Sequence, residues 1–225
     1  YGNDRWNAGG GSDLLIVNYA DATSAVILGT TTNTATSGAL LNDTVNGGWR
    51  GNLHIDGNRS TDFTGVEHFI ITTGASNDTI GTGDGDDSIA TGNGADSIAS
   101  GLGADTIDGG AGNDRWVGST VEGGDAARSL DLNNATDWQD LGEDLVRSVE
   151  GANFTWTGSG ARDITTSTTV AYHDAITTGA GNDTFRGGYG NDRWNAGGGS
   201  DLLIVNYADA TSAVILGTTT NTATS

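Results

Sequence analysis

The residues of this chain that could do chemistry are aspartates, and they recur every nine positions. From Thr73 to Val117 five registers follow one another: TGASNDTIG, TGDGDDSIA, TGNGADSIA, SGLGADTID and GGAGNDRWV. Position six is always Asp: Asp78, Asp87, Asp96, Asp105 and Asp114. Position two is always Gly, and position eight is large and apolar: Ile80, Ile89, Ile98, Ile107 and Trp116. A second run, Thr178 to Ile204, places Asp183, Asp192 and Asp201 at position six and Phe185, Trp194 and Leu203 at position eight. Partial registers at the start carry Asp4 and Asp13. Carboxylates in this rhythm, embedded in glycine turns, are oxygen donors for a hard cation. Ordinary Asp-Gly turn chemistry does not require an invariant sixth position.

Which cation follows from what accompanies the carboxylates. Calcium takes six to eight oxygens in flexible geometry, whereas magnesium wants a strict octahedron and keeps its waters. Transition metals lack their usual ligands, because the chain has no Cys and His54, His68 and His173 lie outside the runs. The formal net charge of −20, the 38 glycines and the absence of proline make a compact state costly without such a cation. All nine basic residues are Arg. The acidic balance argues against nucleic acid and against anionic lipid. No apolar run reaches the ~18 residues of a membrane helix, and no leader is visible at Tyr1. The chain opens inside a motif, which predicts that it is part of a longer protein.

A nine-residue period is half of an eighteen-residue coil, with six residues turning and three forming a short strand. The fold class expected is all-β: parallel β-roll or β-solenoid runs joined by β-rich inserts that continue the solenoid. Residues eighteen apart then stack, Ile80 on Ile98 on Trp116 and Ile89 on Ile107. Asp78, Asp96 and Asp114 line one edge, and Asp87 and Asp105 the other. Asp84, Asp86 and Asp108 read as solvated acids with a supporting role open to them. Trp6, Trp116 and Trp194 read as core by register. For Trp49, Trp138 and Trp156 core and surface both stay open, and the histidines read as structural.

These registers resemble the repeats-in-toxin nonapeptide GGxGxDxUx of hemolysin-type calcium-binding proteins, which forms a β-roll. The likeness covers 73–117, 178–204 and the partial 1–16. It implies calcium ions between turns one coil apart, held by two Asp side chains and by early turn carbonyls. The implied pairs are Asp78 with Asp96, Asp96 with Asp114, Asp87 with Asp105, and Asp183 with Asp201. Asp192, Asp4 and Asp13 are then half-sites completed by inserts or neighbouring repeats. The implied carbonyl donors are Thr73, Ala75, Thr82, Asp84, Thr91, Asn93, Ser100, Leu102, Gly109, Ala111, Thr178 and Ala180. The resemblance also implies export, commonly through a type I secretion channel, with folding in the calcium-rich exterior.

Residues 1–37 and 189–225 are identical, an offset of 188. This predicts a tandem array of 188-residue units. The organisation expected is a partial calcium roll at 1–16, a β-rich insert at 17–72, a calcium roll at 73–117, an insert at 118–177, a roll at 178–204, and the start of the next unit at 205–225. Expected insert strands are Leu14–Tyr19, Ala25–Leu28, Asn52–Ile55, His68–Thr72, Ser129–Leu132, Asn153–Trp156 and Thr169–Tyr172. TGSGARDIT at 157–165 reads as a degenerate turn lengthened by one residue. One helix candidate, Asp137–Val146, puts Trp138, Leu141 and Leu145 on a face, against Gly142.

No HExxH, GxSxG or Cys-His pair occurs, so no enzyme is indicated. The Asn-x-Ser/Thr triplets, Asn77 and Asn182 among them, read as compositional. The function expected is a calcium-stabilised structural repeat of a large secreted bacterial surface protein: an adhesin stalk, surface layer or extracellular filament. Its partners would be neighbouring identical repeats, with self-association into filaments a variant of the same reading. The rival is a glycan- or ice-binding module using Thr30–Thr34 and Thr165–Thr169.

Overall fold

The computed structural model describes residues 3–29, 41–43, 47–55 and 59–206. Among them are twenty-three strands and no helix. The fold is all-β with mainly parallel pairing, as the nine-residue period requires. Each half-coil supplies three residues of strand, too short to stand alone. It is stabilised by identical neighbours eighteen residues away.

One eleven-stranded sheet crosses both inserts. Its order is Asn3–Asn7, Arg59–Val66, Trp49–Ile55, Val26–Gly29, Thr79–Gly81, Ser97–Ala99, Arg115–Glu122, Gly151–Thr157, Ala175–Thr177 and Arg193–Asn195, with Leu41–Asn42 attached beside Trp49–Ile55. Two further sheets share its core. Six strands run Gln139–Asp140, Leu145–Arg147, Thr106–Asp108, Ser88–Ala90, His68–Thr72 and Leu14–Asn18. Four run Arg128–Asp131, Arg162–Thr165, Thr184–Gly187 and Leu202–Val205.

Position eight builds the core as the register predicts. Ile98 pairs with Ile80 and with Trp116, and Ile107 with Ile89; all five side chains are buried. The column continues by size matching. Trp116 lies opposite Ala152, which leaves room for its ring to stack on Phe154 at 4.9 Å. Leu130, Ile164, Phe185 and Leu203 form the second column, in the four-stranded sheet.

Three expectations are corrected. Asp137–Val146 is not helical: Gln139–Asp140 and Leu145–Arg147 pair antiparallel around Gly142 at φ 130°. A left-handed glycine and the buried Leu141 suit a turn of the roll better than an amphipathic face. Thr169–Tyr172 is turn, not strand. TGSGARDIT carries no extra residue: Ile164 aligns with Phe185, so Arg162 occupies position six. The insert strands Arg59–Val66 and Arg162–Thr165 were not foreseen. Thr30–Thr34 lies outside the described residues.

Candidate metal centre

Each turn is built by backbone stacking on the turn one coil away. The position-two carbonyl of Gly74 accepts Asn93 N–H at 2.8 Å, and that of Gly92 accepts Ala111 N–H at 2.6 Å. Glycine is required here by contact as well as by conformation. Gly92 sits at φ 91°, and a Cβ on it would lie 2.3 Å from the Gly74 oxygen. Position five adds a side-chain rung: Asn77 Oδ1 accepts Ala95 N–H and Asn182 Oδ1 accepts Ser200 N–H, both at 2.9 Å. His68 and His173 occupy equivalent rungs, each accepting a backbone N–H at Nδ1 in the assigned tautomer.

Position six is where the charge sits. Asp96 Oδ1 accepts Asp78 N–H at 2.7 Å, Asp114 Oδ1 accepts Asp96 N–H at 2.9 Å, and Asp105 Oδ1 accepts Asp87 N–H at 3.0 Å. Asp201 Oδ1 accepts Asp183 N–H at 3.0 Å. The implied pairs are therefore juxtaposed, one carboxylate per coil. The second oxygen of each carboxylate is different. Oδ2 of Asp13, Asp78, Asp87, Asp96, Asp105, Asp114, Asp174 and Asp183 is buried with no hydrogen-bond partner. A buried carboxylate oxygen without a donor costs several kcal/mol unless a cation meets it.

Burial, the largest cause in each case, pushes the Asp87 and Asp114 carboxyls up to about 7 and those of Asp96 and Asp105 up to about 6. Asp78 shifts in the same direction.

The inserts extend this ladder with residues the sequence reading missed. Asp105 N–H reaches Asp144 Oδ1 at 2.9 Å, Asp114 N–H reaches Glu150 Oε2 at 2.7 Å, and Asp174 N–H reaches Asp192 Oδ1 at 3.2 Å. The signals were present. QDLGEDLVR has Gly, Asp and Val at positions four, six and eight, and Asp174 stands nine residues before Asp183. Asp13 meets Glu67, its N–H on Oε2 at 2.8 Å. It is not aligned with Asp87, because Phe69 takes that place and gives its N–H to Asp87 Oδ1. The backbone of Asp4 pairs with Thr61 and not with another acid.

The early carbonyls have mixed company. Thr91 O, Ser100 O and Gly109 O accept the hydroxyls of Thr73, Thr82 and Thr91 from the coil before. A carbonyl keeps a second lone pair, so these remain able to ligate. Asp84 O accepts the Trp49 indole N–H at 2.9 Å, and Leu102 O accepts Gly85 N–H at 2.7 Å. Thr73, Ala75, Thr82, Asn93, Ala111, Thr178 and Ala180 occupy positions one and three of their turns. Asp84 and Asp86 are exposed and accept backbone N–H groups of Leu102 and Ala104, while Asp108 pairs with Arg147. Trp116 and Trp156 are buried; Trp6 is 38 % and Trp138 43 % exposed.

One turn carries its own cation. Arg162 is 1 % exposed at position six, and its backbone N–H donates to Asp183 Oδ1 at 2.8 Å. Its guanidinium donates to the carbonyls of Gly124, Ala126 and Thr157 at 2.6–2.9 Å, bridging two successive turns.

Among the described residues, no group of three or more His, Cys, Asp or Glu side chains is placed to hold a metal ion by itself. The donors are single carboxylates and carbonyls in stacked glycine turns. Residues 70–98, 81–115 and 168–203 match the family model described as RTX calcium-binding nonapeptide repeat. Segments 70–115 and 168–203 carry RTX calcium-binding nonapeptide repeats. No curated protein matches it in sequence. RTX nonapeptides bind calcium, occur in secreted proteins and are structural rather than catalytic. The orphaned carboxylate oxygens fit that cation, which is hard, oxygen-seeking and tolerant of irregular geometry. No helix among the described residues is long and apolar enough to cross a membrane.

Proposed function

We propose that this chain is a calcium-stabilised structural repeat of a large secreted bacterial surface protein, an adhesin stalk, surface layer or filament, which folds outside the cell as calcium binds. The observation that carries the reading is the row of buried, unpartnered Oδ2 atoms at position six. The calcium-holding pairs are Asp78–Asp96, Asp96–Asp114, Asp87–Asp105 and Asp183–Asp201. The ladder extends through Asp105–Asp144, Asp114–Glu150 and Asp174–Asp192. Where a site exists only in the folded chain, binding energy is folding energy. Hydrodynamic radius and far-UV circular dichroism, measured with calcium and with chelator, test it. Compaction and gain of β signal on calcium are expected; identical values in both conditions would sink the proposal.

A further inference from the structure

The identical segments 1–37 and 189–225 each begin with a pair of strands that ends a sheet, and the two copies show different edges of that pair. In the first copy, Asn3–Asn7 pairs in parallel with Arg59–Val66, and Leu14–Asn18 with His68–Thr72. In the second copy, the equivalent strands Arg193–Asn195 and Leu202–Val205 pair in parallel with Ala175–Thr177 and Thr184–Gly187. Asn3–Asn7 and Arg193–Asn195 end the eleven-stranded sheet at opposite sides, while Leu14–Asn18 ends the six-stranded sheet and Leu202–Val205 the four-stranded one. The pairing edges are therefore opposite and compatible. The turn between the strands has the same form in both: Gly9 and Gly11 at φ 90° and 141°, Gly197 and Gly199 at φ 71° and 126°.

We infer that in a tandem array this strand pair is a shared rung, the last of one unit and the first of the next, so that consecutive units join without a linker. The inference rests on the tandem structural role proposed above and names its contact. Ile176 and Phe63 of the following unit would flank one tryptophan, which is Trp194 by one register and Trp6 by the other. Phe185 and the next Phe69 would flank the Leu203/Leu15 position. The four-stranded sheet of one unit then continues into the six-stranded sheet of the next.

Three features of the ends match this occupant. Leu203 and Val205 are 51 % and 46 % exposed in the second copy, whereas the equivalent Val17 is buried on Ile71 in the first. A Cβ at Gly9 would meet nothing within 4 Å, whereas at Gly197 it would lie 2.0 Å from Gly179 O. The first copy thus carries a glycine whose close-approach requirement is met only when a preceding unit is present. The carboxylate ladder also joins: Asp183 N–H goes to Asp201 Oδ1, and the equivalent Asp13 sends its N–H to Glu67. The junction completes an unbroken Asp183–Asp13–Glu67 column, into which Asp13 Oδ2 is buried without a partner.

The test is a chain lengthened by one further 188-residue unit, compared with the present chain by amide hydrogen exchange in calcium. The middle copy of 193–206 should exchange roughly 100-fold more slowly than the terminal copy does in the present chain. Equal exchange overturns the shared rung. In the longer chain, alanine for glycine at the middle copy of position 197 should lower exchange protection of its own strand pair and of the coil before it by more than Gly9→Ala, which carries only the strain of its positive φ, lowers that around the free end. Equal effects also overturn it. A chain that compacts on calcium but leaves the middle copy fast-exchanging refutes the junction alone. A chain indifferent to calcium refutes the structural reading beneath it.

Discussion

Asp96→Asn should stabilise the chain in chelator and destabilise it in calcium. Asp96 is 2 % exposed, accepts Asp78 N–H at Oδ1, donates its own N–H to Asp114, and leaves Oδ2 unpartnered. Asparagine keeps the Oδ1 acceptor and the shape but removes the charge. Burial pushes the carboxyl up to about 6, so holding it ionised near neutral pH costs on the order of 1–3 kcal/mol once screening is allowed for. That cost vanishes in the variant when no cation is present. In calcium the variant loses one carboxylate at each of two inter-turn sites. At about 10 mM calcium and extracellular-type affinities of ~10⁻⁴–10⁻³ M, each site contributes ~1.4–2.7 kcal/mol. The two lost sites are together worth roughly 3–5 kcal/mol, and the gain from the removed charge offsets part of this, so the net loss in calcium is about 2 kcal/mol, opposite in sign to the effect in chelator. Urea unfolding followed by far-UV circular dichroism in both buffers reads this directly, or the calcium midpoint for folding if the chelated chain is unfolded. Equal destabilisation in both buffers would refute the reasoning, because the carboxylate would then act only as a hydrogen-bond acceptor.

The raised carboxyls predict two opposite pH trends. Asp87, Asp114 and Asp144 at about 7, and Asp96, Asp105 and Asp174 at about 6, lie above their unfolded values. In the metal-free chain their contribution is full below about pH 4 and is lost as pH rises through 6–7. Calcium needs the ionised forms, so its folding midpoint should fall between about pH 5 and about pH 7.5; a flat midpoint across titrations contradicts this. Arg162→Ala strands the Gly124, Ala126 and Thr157 carbonyls and should cost roughly 3–5 kcal/mol equally with and without calcium, as read by denaturant midpoints. Ile98→Ala, between Ile80 and Trp116, should cost about 2–5 kcal/mol. Ile16→Ala, at a site 64 % exposed, should stay within about 0.5 kcal/mol on thermal unfolding.

The nonapeptide core was legible because one residue type at one spacing fixes both the turn and the inward side chain. What escaped did so for physical reasons. Gln139–Arg147 keeps Gly142, Asp144 and Val146 but lacks glycine at positions one and two, and its apolar spacing also fits a helix. Thr169–Thr177 keeps Asp174 and Ile176 without any glycine. In TGSGARDIT the acid beside Arg162 suggested a shifted frame. A cation at position six satisfies the same carbonyls from the other direction, so the turn closes with no insertion. Asp13 meets Glu67 but Asp87 meets Phe69, and Asp114 meets Glu150 but Asp174 meets Ala152, a two-residue change of frame that leaves every side chain on its original face. Sequence periodicity cannot register such a slip. The antiparallel strand Arg59–Val66 carries little alternation of its own and owes its place to pairing with Trp49–Ile55.

The most direct test of the account is a calcium titration of the chain with simultaneous circular dichroism and a count of bound ions. The paired carboxylates Asp78–Asp96, Asp96–Asp114, Asp87–Asp105 and Asp183–Asp201 call for at least four ions, taken up together with the gain of β structure. Fewer than four bound ions, or β structure complete before any calcium is added, would contradict it.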